Sequence, residues 1–160
     1  MPTRCTFDLN GKNTSVLHCD GVGAMVAFSG RGNGRDNPAA TSQQAIGPIP
    51  KGTYYIIDRQ SGGRLGWFRD LWGEYGYGTT NHTEWFMLWN PKTGDSTMVD
   101  GVKRGAFRLH PVGPMGLSEG CITIANPGQF KQLATYLRGQ GATIPVPGSP
   151  SKAYGTVEVR

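Results

Sequence analysis

Long apolar runs are missing from this chain. No stretch approaches the roughly 20 apolar residues that cross a bilayer as a helix, and the opening Met1-Pro2-Thr3-Arg4-Cys5 lacks the apolar core of a signal peptide. The expectation is a protein with no transmembrane segment and no Sec-type address. Clustered charge is missing too. The net charge of +5 comes from scattered Lys and Arg, and the aromatics do not interleave with them in a pattern that tracks a nucleic-acid backbone. Nucleic acid is therefore not an expected partner, and the diffuse positive surface suits either an anionic polymer such as a cell wall or plain solubility.

Cysteine and histidine are scarce. Cys5, Cys19 and Cys121 leave one thiol over if the other two are bridged, and that thiol needs a chemical task or a burial site. His18, His82 and His110 do not combine with these cysteines in any recognised zinc spacing, so no metal is expected.

Glycine and proline, by contrast, are plentiful. Twenty-five Gly and 11 Pro in 160 residues, set among short β-rich runs, predict a mainly β fold of short strands and tight turns. The length suits a single domain, residues 1–160, with a real core. Residues 4–9 and 14–19 read as a hairpin around Asn10-Gly11-Lys12-Asn13. That hairpin brings Cys5 near Cys19, where a disulfide and two small buried thiols are both open. A strand over 24–29 is followed by a long loop from Gly30 to about Ala45, and Gly47-Pro48-Ile49-Pro50-Lys51-Gly52 turns rigidly into a strand over 53–58. Further strands are predicted over 84–89 and 105–110, with Phe107 and Leu109 on one face and Arg108 and His110 on the other. Ile122 and Ile124 should pack inward while Cys121 and Thr123 face away. One helix is well signalled over about 127–138. Asn126 is its N-cap, Pro127 its first residue, Phe130, Leu133, Ala134 and Leu137 form one stripe, and Gly139 is the stop. A last strand runs from Tyr154 to Val159.

Cys121 follows Gly120 at a loop-to-strand transition, where the amides of Gly120 and Cys121 can point at a developing oxyanion. Losing one such donor typically costs about 3 kcal/mol of transition-state stabilisation. A thiol with a pKa of about 8.5 is mostly protonated at neutral pH, and a neighbouring histidine is the usual activator. His110, held extended by Pro111, is the candidate base. Taken singly, a buried cysteine and a structurally satisfied histidine are the commoner identities of such residues. Ser118 either orients the loop beside the thiolate or is a turn residue satisfying local backbone. Glu119 should point away, since a carboxylate would hold the thiol protonated. Arg108, on the face of His110, is either a bidentate partner for substrate carboxylates or a solvated arginine. Trp85 and Trp89 read as core or cleft wall, and Trp67 and Trp72 as the better candidates for glycan contact.

Arg108-Leu109-His110-Pro111, a short loop, then Ser118-Glu119-Gly120-Cys121-Ile122 resembles the active-site signature of L,D-transpeptidases, an upstream histidine followed by serine-x-glycine-cysteine. Together with Phe28-Ser29-Gly30 and Gly47-Pro48-Ile49-Pro50-Lys51-Gly52-Thr53-Tyr54, the string is most similar to the type VI secretion L,D-transpeptidase effectors, over about 6–124. The resemblance implies an L,D-transpeptidase-like β-sandwich or barrel-like catalytic domain with no cofactor. It implies a Cys121 thioester formed on peptidoglycan tetrapeptide stems with loss of the terminal D-alanine, followed by trimming by water or exchange with free D-amino acids. It also implies delivery by the type VI machinery into a rival's periplasm, and a cognate immunity protein, expected to occlude the cleft around Cys121. Two positions depart from the broad superfamily, Glu119 in place of histidine and Thr123 in place of arginine. A papain-like cell-wall amidase or endopeptidase would place the cysteine before the histidine, at the start of a helix, which this order argues against. A non-catalytic wall-binding module is the other alternative.

Overall fold

The computed structural model describes residues 2–43, 46–58, 85–105, 107–112 and 120–160. Its strands are β1 (Thr3–Phe7), β2 (Ser15–Cys19), β3 (Gly23–Ser29), β4 (Gly52–Asp58), β5 (Phe86–Trp89), β6 (Ser96–Val99), β7 (Val102–Gly105), β8 (Arg108–Pro111), β9 (Ile122–Ile124), β10 (Ile144–Pro145), β11 (Lys152–Ala153) and β12 (Gly155–Val159), with helix α1 (Pro127–Gln140) between β9 and β10. Eight of the strands close into a barrel in the order β1-β12-β4-β5-β8-β9-β3-β2. The expected mainly β architecture with one helix is what is found among the described residues.

Alternation explains the closure. β1 and β2 bury every second residue, and Cys5, Phe7, Leu17 and Cys19 all point inward, as a sheet with one solvated face requires. Where the hairpin pairs, Cys5 lies directly opposite Cys19, and the two form a disulfide. The inward residues of the barrel merge with Phe130, Leu133, Ala134 and Leu137 of α1 into one core cluster. Burying each of the larger side chains contributes about 2 kcal/mol. A smaller cluster of Ile57, Met87, Val146 and Ala153 joins β4 and β5 to the segment that carries the β10–β11 pair.

Two of the barrel's pairings are parallel, β1 with β12 and β8 with β9. In the second, Leu109 lies opposite Ile122 and His110 opposite Thr123. Leu109, Ile122 and Ile124 enter the core, which turns His110 and Thr123 to the other face, as the alternation requires.

Several boundaries differ from expectation by a residue or more. The helix continues through Gly139 to Gln140, because the residue that leaves helical geometry is Gly141, at φ +80, with its N–H on the Arg138 carbonyl. Asn126 caps the start by accepting from the N–H groups of Gly128 and Gln129. The strand expected over 105–110 is two elements, since Gly105 ends β7 and β8 begins at Arg108. The β6–β7 ribbon itself was not anticipated. Its turn residues Asp100 and Gly101 lie at φ +50 and +80, and Asp-Gly between β-branched neighbours is the pattern that closes such a hairpin. Among the described residues no helix is long and apolar enough to cross a membrane.

Candidate active site

His110 is fully buried on β8, and both ring nitrogens have neighbours. Nδ1 lies 2.7 Å from the carbonyl oxygen of Pro111, an acceptor only, so the tautomer that satisfies both groups carries its proton on Nδ1. Nε2 is thereby left with a lone pair. It faces β9, with Thr123 Oγ1 at 3.4 Å, from which a hydroxyl donates. The indole of Trp85 stacks on the imidazole at 4.3 Å between centroids and 19° between planes, which fixes the ring's tilt as well as its face. Trp85 is itself fully buried, in keeping with the expectation that it belongs to the core or to a cleft wall.

Cys121 is buried and is the one cysteine outside the Cys5–Cys19 disulfide. It directly precedes β9. Extending the β8–β9 register by one residue sets it opposite Arg108 and two positions from His110. With strands about 4.8 Å apart and a rise of about 3.3 Å per residue, that diagonal is about 8 Å between Cα atoms, a span that a thiol and an imidazole on one face can bridge. Gly120 adopts φ +99. A Cβ there would stand 2.6 Å from Nη2 of Arg104 and 2.8 Å from the Phe107 ring, so both backbone conformation and space demand glycine before the cysteine.

Around this turn the two glycine-rich stretches interlock. Ser29, opposite Ile122 across β3 and β9, uses its Oγ to accept from the Ile49 N–H at 2.8 Å. Its own N–H donates to Asp36 Oδ1 at 2.8 Å, and its carbonyl accepts from the Asp36 N–H at 2.8 Å. The segment from Gly30 to Ile49 is thus stitched back onto the strand beside Cys121. Arg104, buried at 2% exposure, reaches into the same segment from β7. It donates to the Thr41 carbonyl, to Pro48 at 3.3 Å and to Gly47 at 2.9 Å.

Asp36 is fully buried at φ +54. Burial pushes its carboxyl from 3.8 up to about 7, against the opposing pull of the Ser29 N–H and the Arg35 charge. Because the folded value lies above the unfolded one, this group's contribution to stability is fully present below about pH 4 and is lost as pH rises through about 7. Asp36→Asn keeps an oxygen for the Ser29 N–H, tolerates the left-handed backbone and removes the titration. Relative to wild type it should gain on the order of 2–4 kcal/mol at pH 8 and nothing at pH 4. Thermal melts at the two pH values decide this, and identical pH dependence in both proteins would sink it.

Arg108, expected on the face of His110, is fully buried, with both terminal nitrogens on Asp95, at 2.8 and 3.3 Å. A substrate carboxylate reaching that fork would compete with Asp95. Ser118 and Glu119, together with Trp67, Trp72 and His82, lie outside the described residues. Cys5 and Cys19 are unavailable as metal ligands because they are bonded to each other. Among the described residues no three His, Cys, Asp or Glu side chains gather as a metal site. Sequence reasoning did not single out Arg104 or Asp36. For Arg104 a signal existed: the Asp100-Gly101 hairpin puts Lys103 and Arg104 on opposite faces, so one of the two cations must turn inward.

One family model, described as the Tlde1 domain, matches residues 23–149, a span that contains the Ser29–Asp36–Ile49 stitch, Arg104, His110 and Cys121. The comparison with curated proteins finds no match.

Proposed function

Since this chain belongs to the Tlde1-domain family, that of the type VI secretion L,D-transpeptidase effectors, we propose that it trims and exchanges the terminal residue of peptidoglycan tetrapeptide stems through a thioester on Cys121. The observation that carries this reading is the state of His110. With Nδ1–H held by the Pro111 carbonyl, Nε2 is a base on the face that Thr123 shares and that Cys121 adjoins.

Nε2 takes the thiol proton and Sγ attacks the carbonyl on the L-centre of the third stem residue. The oxyanion is met by the backbone amides of Gly120 and Cys121. As the C–N bond breaks, Nε2–H returns its proton to the leaving amine of D-alanine, and the acyl group stays on sulfur. Water, deprotonated by His110, then releases a tripeptide and restores the thiol, which is carboxypeptidase action. The amine of a free D-amino acid does the same with exchange, and a neighbouring stem's amine would give a cross-link. Arg108, engaged with Asp95, holds the β8 end of the cleft, and substrate carboxylates would meet it as that ion pair. Ser118, two positions before Gly120 in the sequence, is assigned to the motif by resemblance. Loss of tetrapeptide donors in a rival's periplasm, after type VI delivery, would give the reaction its antibacterial effect, and a cognate immunity protein would act by covering Cys121.

The test is mass spectrometry of the intact protein and of its proteolytic peptides after incubation with purified disaccharide-tetrapeptide. The expected result is release of free D-alanine together with a transient adduct of the disaccharide-tripeptide acyl group on the peptide containing Cys121. Cleavage at another bond would replace this reading with an amidase or endopeptidase. An unmodified substrate that nonetheless binds would replace it with a wall-binding module.

A further inference from the structure

The nucleophile turn rests against a permanent cation. Arg104 leaves the β6–β7 ribbon, which is outside the barrel, and its guanidinium ends buried between three carbonyls of the 41–48 segment and Gly120. The corner nearest the turn is Nη2, which occupies the space a Gly120 side chain would need, 2.6 Å from the ideal Cβ position. Phe107 closes the other side, its ring centroid 5.7 Å from the guanidinium carbon and its edge also against Gly120. The guanidinium is therefore packed against the residue bonded to Cys121.

A guanidinium stays charged at every relevant pH, and burial removes most of the water and salt that would screen it. Burying a charge is expensive even when carbonyls receive its N–H groups. A neutral donor could satisfy the Gly47 and Pro48 carbonyls without that penalty, so the arrangement has an electrostatic consequence that hydrogen bonding alone does not require. Its field falls on whatever negative charge develops at the next residue. Other ionisable groups around the turn include His110 and Arg108 on β8, Arg108 standing opposite Cys121 in the extended register with its charge engaged by Asp95, Asp36 behind β3, and Arg35, whose guanidinium lies over Phe28 at 4.1 Å. Helix α1 packs Phe130, Leu133, Ala134 and Leu137 into the core with Leu109, Ile122 and Ile124, on the other face of β8 and β9, and brings no charge to the turn from that side.

We propose that Arg104 is a positioning residue of the proposed reaction: its clamped guanidinium favours Cys121 as thiolate and holds the Gly120–Cys121 turn where the oxyanion forms. This rests on the reading of Cys121 as nucleophile, and the two are separable by experiment. With the Cys5–Cys19 disulfide intact, Cys121 is the one thiol left to alkylate. The rate of its modification by iodoacetamide, followed by intact mass from pH 5 to 10, gives the midpoint of thiolate formation with no substrate present.

In folded Arg104→Gln that midpoint is expected to rise by about one pH unit or more, with alkylation at pH 7 about tenfold slower. Arg104→Lys, which keeps the charge but not the fork, should stay within about half a unit of wild type while melting lower. Phe107→Leu loosens the same packing and leaves the charge, so its melting temperature should fall with the midpoint unmoved. An unchanged midpoint in folded Arg104→Gln overturns the proposal, and so does a Phe107→Leu shift as large as that of Arg104→Gln. Should Arg104→Gln fail to fold, Arg104→Lys decides: a midpoint raised by a full unit overturns the proposal, and a retained one supports it. A wild-type midpoint as high as that of a free cysteine counts instead against Cys121 as nucleophile.

Discussion

Replacing Cys121 by alanine is expected to abolish release of D-alanine from the tetrapeptide, and replacing His110 by glutamine to lower kcat by about 10³-fold with little change in KM. In the proposed mechanism the alanine removes the atom that would carry the acyl group, which leaves trimming and exchange without an intermediate to pass through. Glutamine fills much of the imidazole's space between Trp85 and Thr123, and its amide N–H can still donate towards the Pro111 carbonyl. It cannot accept the thiol proton and return it to the leaving amine. General acid–base catalysis of this kind typically contributes about 10²–10⁴-fold, and the residual rate would come from spontaneous thiolate and the backbone donors. The split between kcat and KM matters because in the proposed mechanism Nε2 acts on the thiol proton and not on the substrate's binding contacts. Steady-state release of D-alanine measures it. A His110→Gln enzyme within about tenfold of wild type would remove His110 as the base.

The second large effect concerns the barrel seam. β1 and β2 meet through three residue pairs, Cys5 with Cys19, Thr6 with His18 and Phe7 with Leu17, and one of the three is a covalent bond. Cys5 and Cys19 are 14 positions apart, and a loop of about 15 residues closed in the unfolded chain corresponds to about 3 kcal/mol of stability. The paired Cys5→Ala and Cys19→Ala variant, or wild type in excess reductant, should lose about that amount and melt about 10 °C lower. The route is mainly the unfolded ensemble, so m-values should change along with midpoints. Urea unfolding with and without reductant measures this. A difference below about 1 kcal/mol would mean that the hairpin holds the seam without its bond.

Local signals were the readable ones. Asn126, Pro127 and the Phe130–Leu133–Leu137 stripe specify α1 because every determinant lies within a few residues of its effect. Even its misplaced end is local, since Gly139 is tolerated in helix and Gly141 supplies the left-handed residue. The β1–β2 hairpin and the inward turn of Ile122 and Ile124 were legible for the same reason, alternation across a few positions. What could not be read was the meeting of distant segments. The β8–β9 pairing is parallel, so no tight turn announces it. Arg104 depends on the segment ending at Pro48 and on the turn at Gly120 arriving at one place. Asp36 is an ordinary loop aspartate in the sequence, and only the fold around Ser29 removes its water. The partner of His110 Nδ1 is the adjacent residue's carbonyl, yet choosing it needs a ring orientation that Trp85 sets from the residue before β5.

The parallel pairing of β8 with β9 has an evolutionary corollary. The number of residues between His110 and Cys121 is a property of the crossover that joins the two strands, whereas their distance in space is a property of strand register. The two quantities are uncoupled. Register, fixed by the paired residues, relates the positions of His110 and Cys121 whatever the length of the sequence between them. Among relatives, the gap between histidine and cysteine should therefore be the elastic part of the motif, and the hydrophobic residues that lock the register, Leu109, Ile122 and Ile124, the inelastic part.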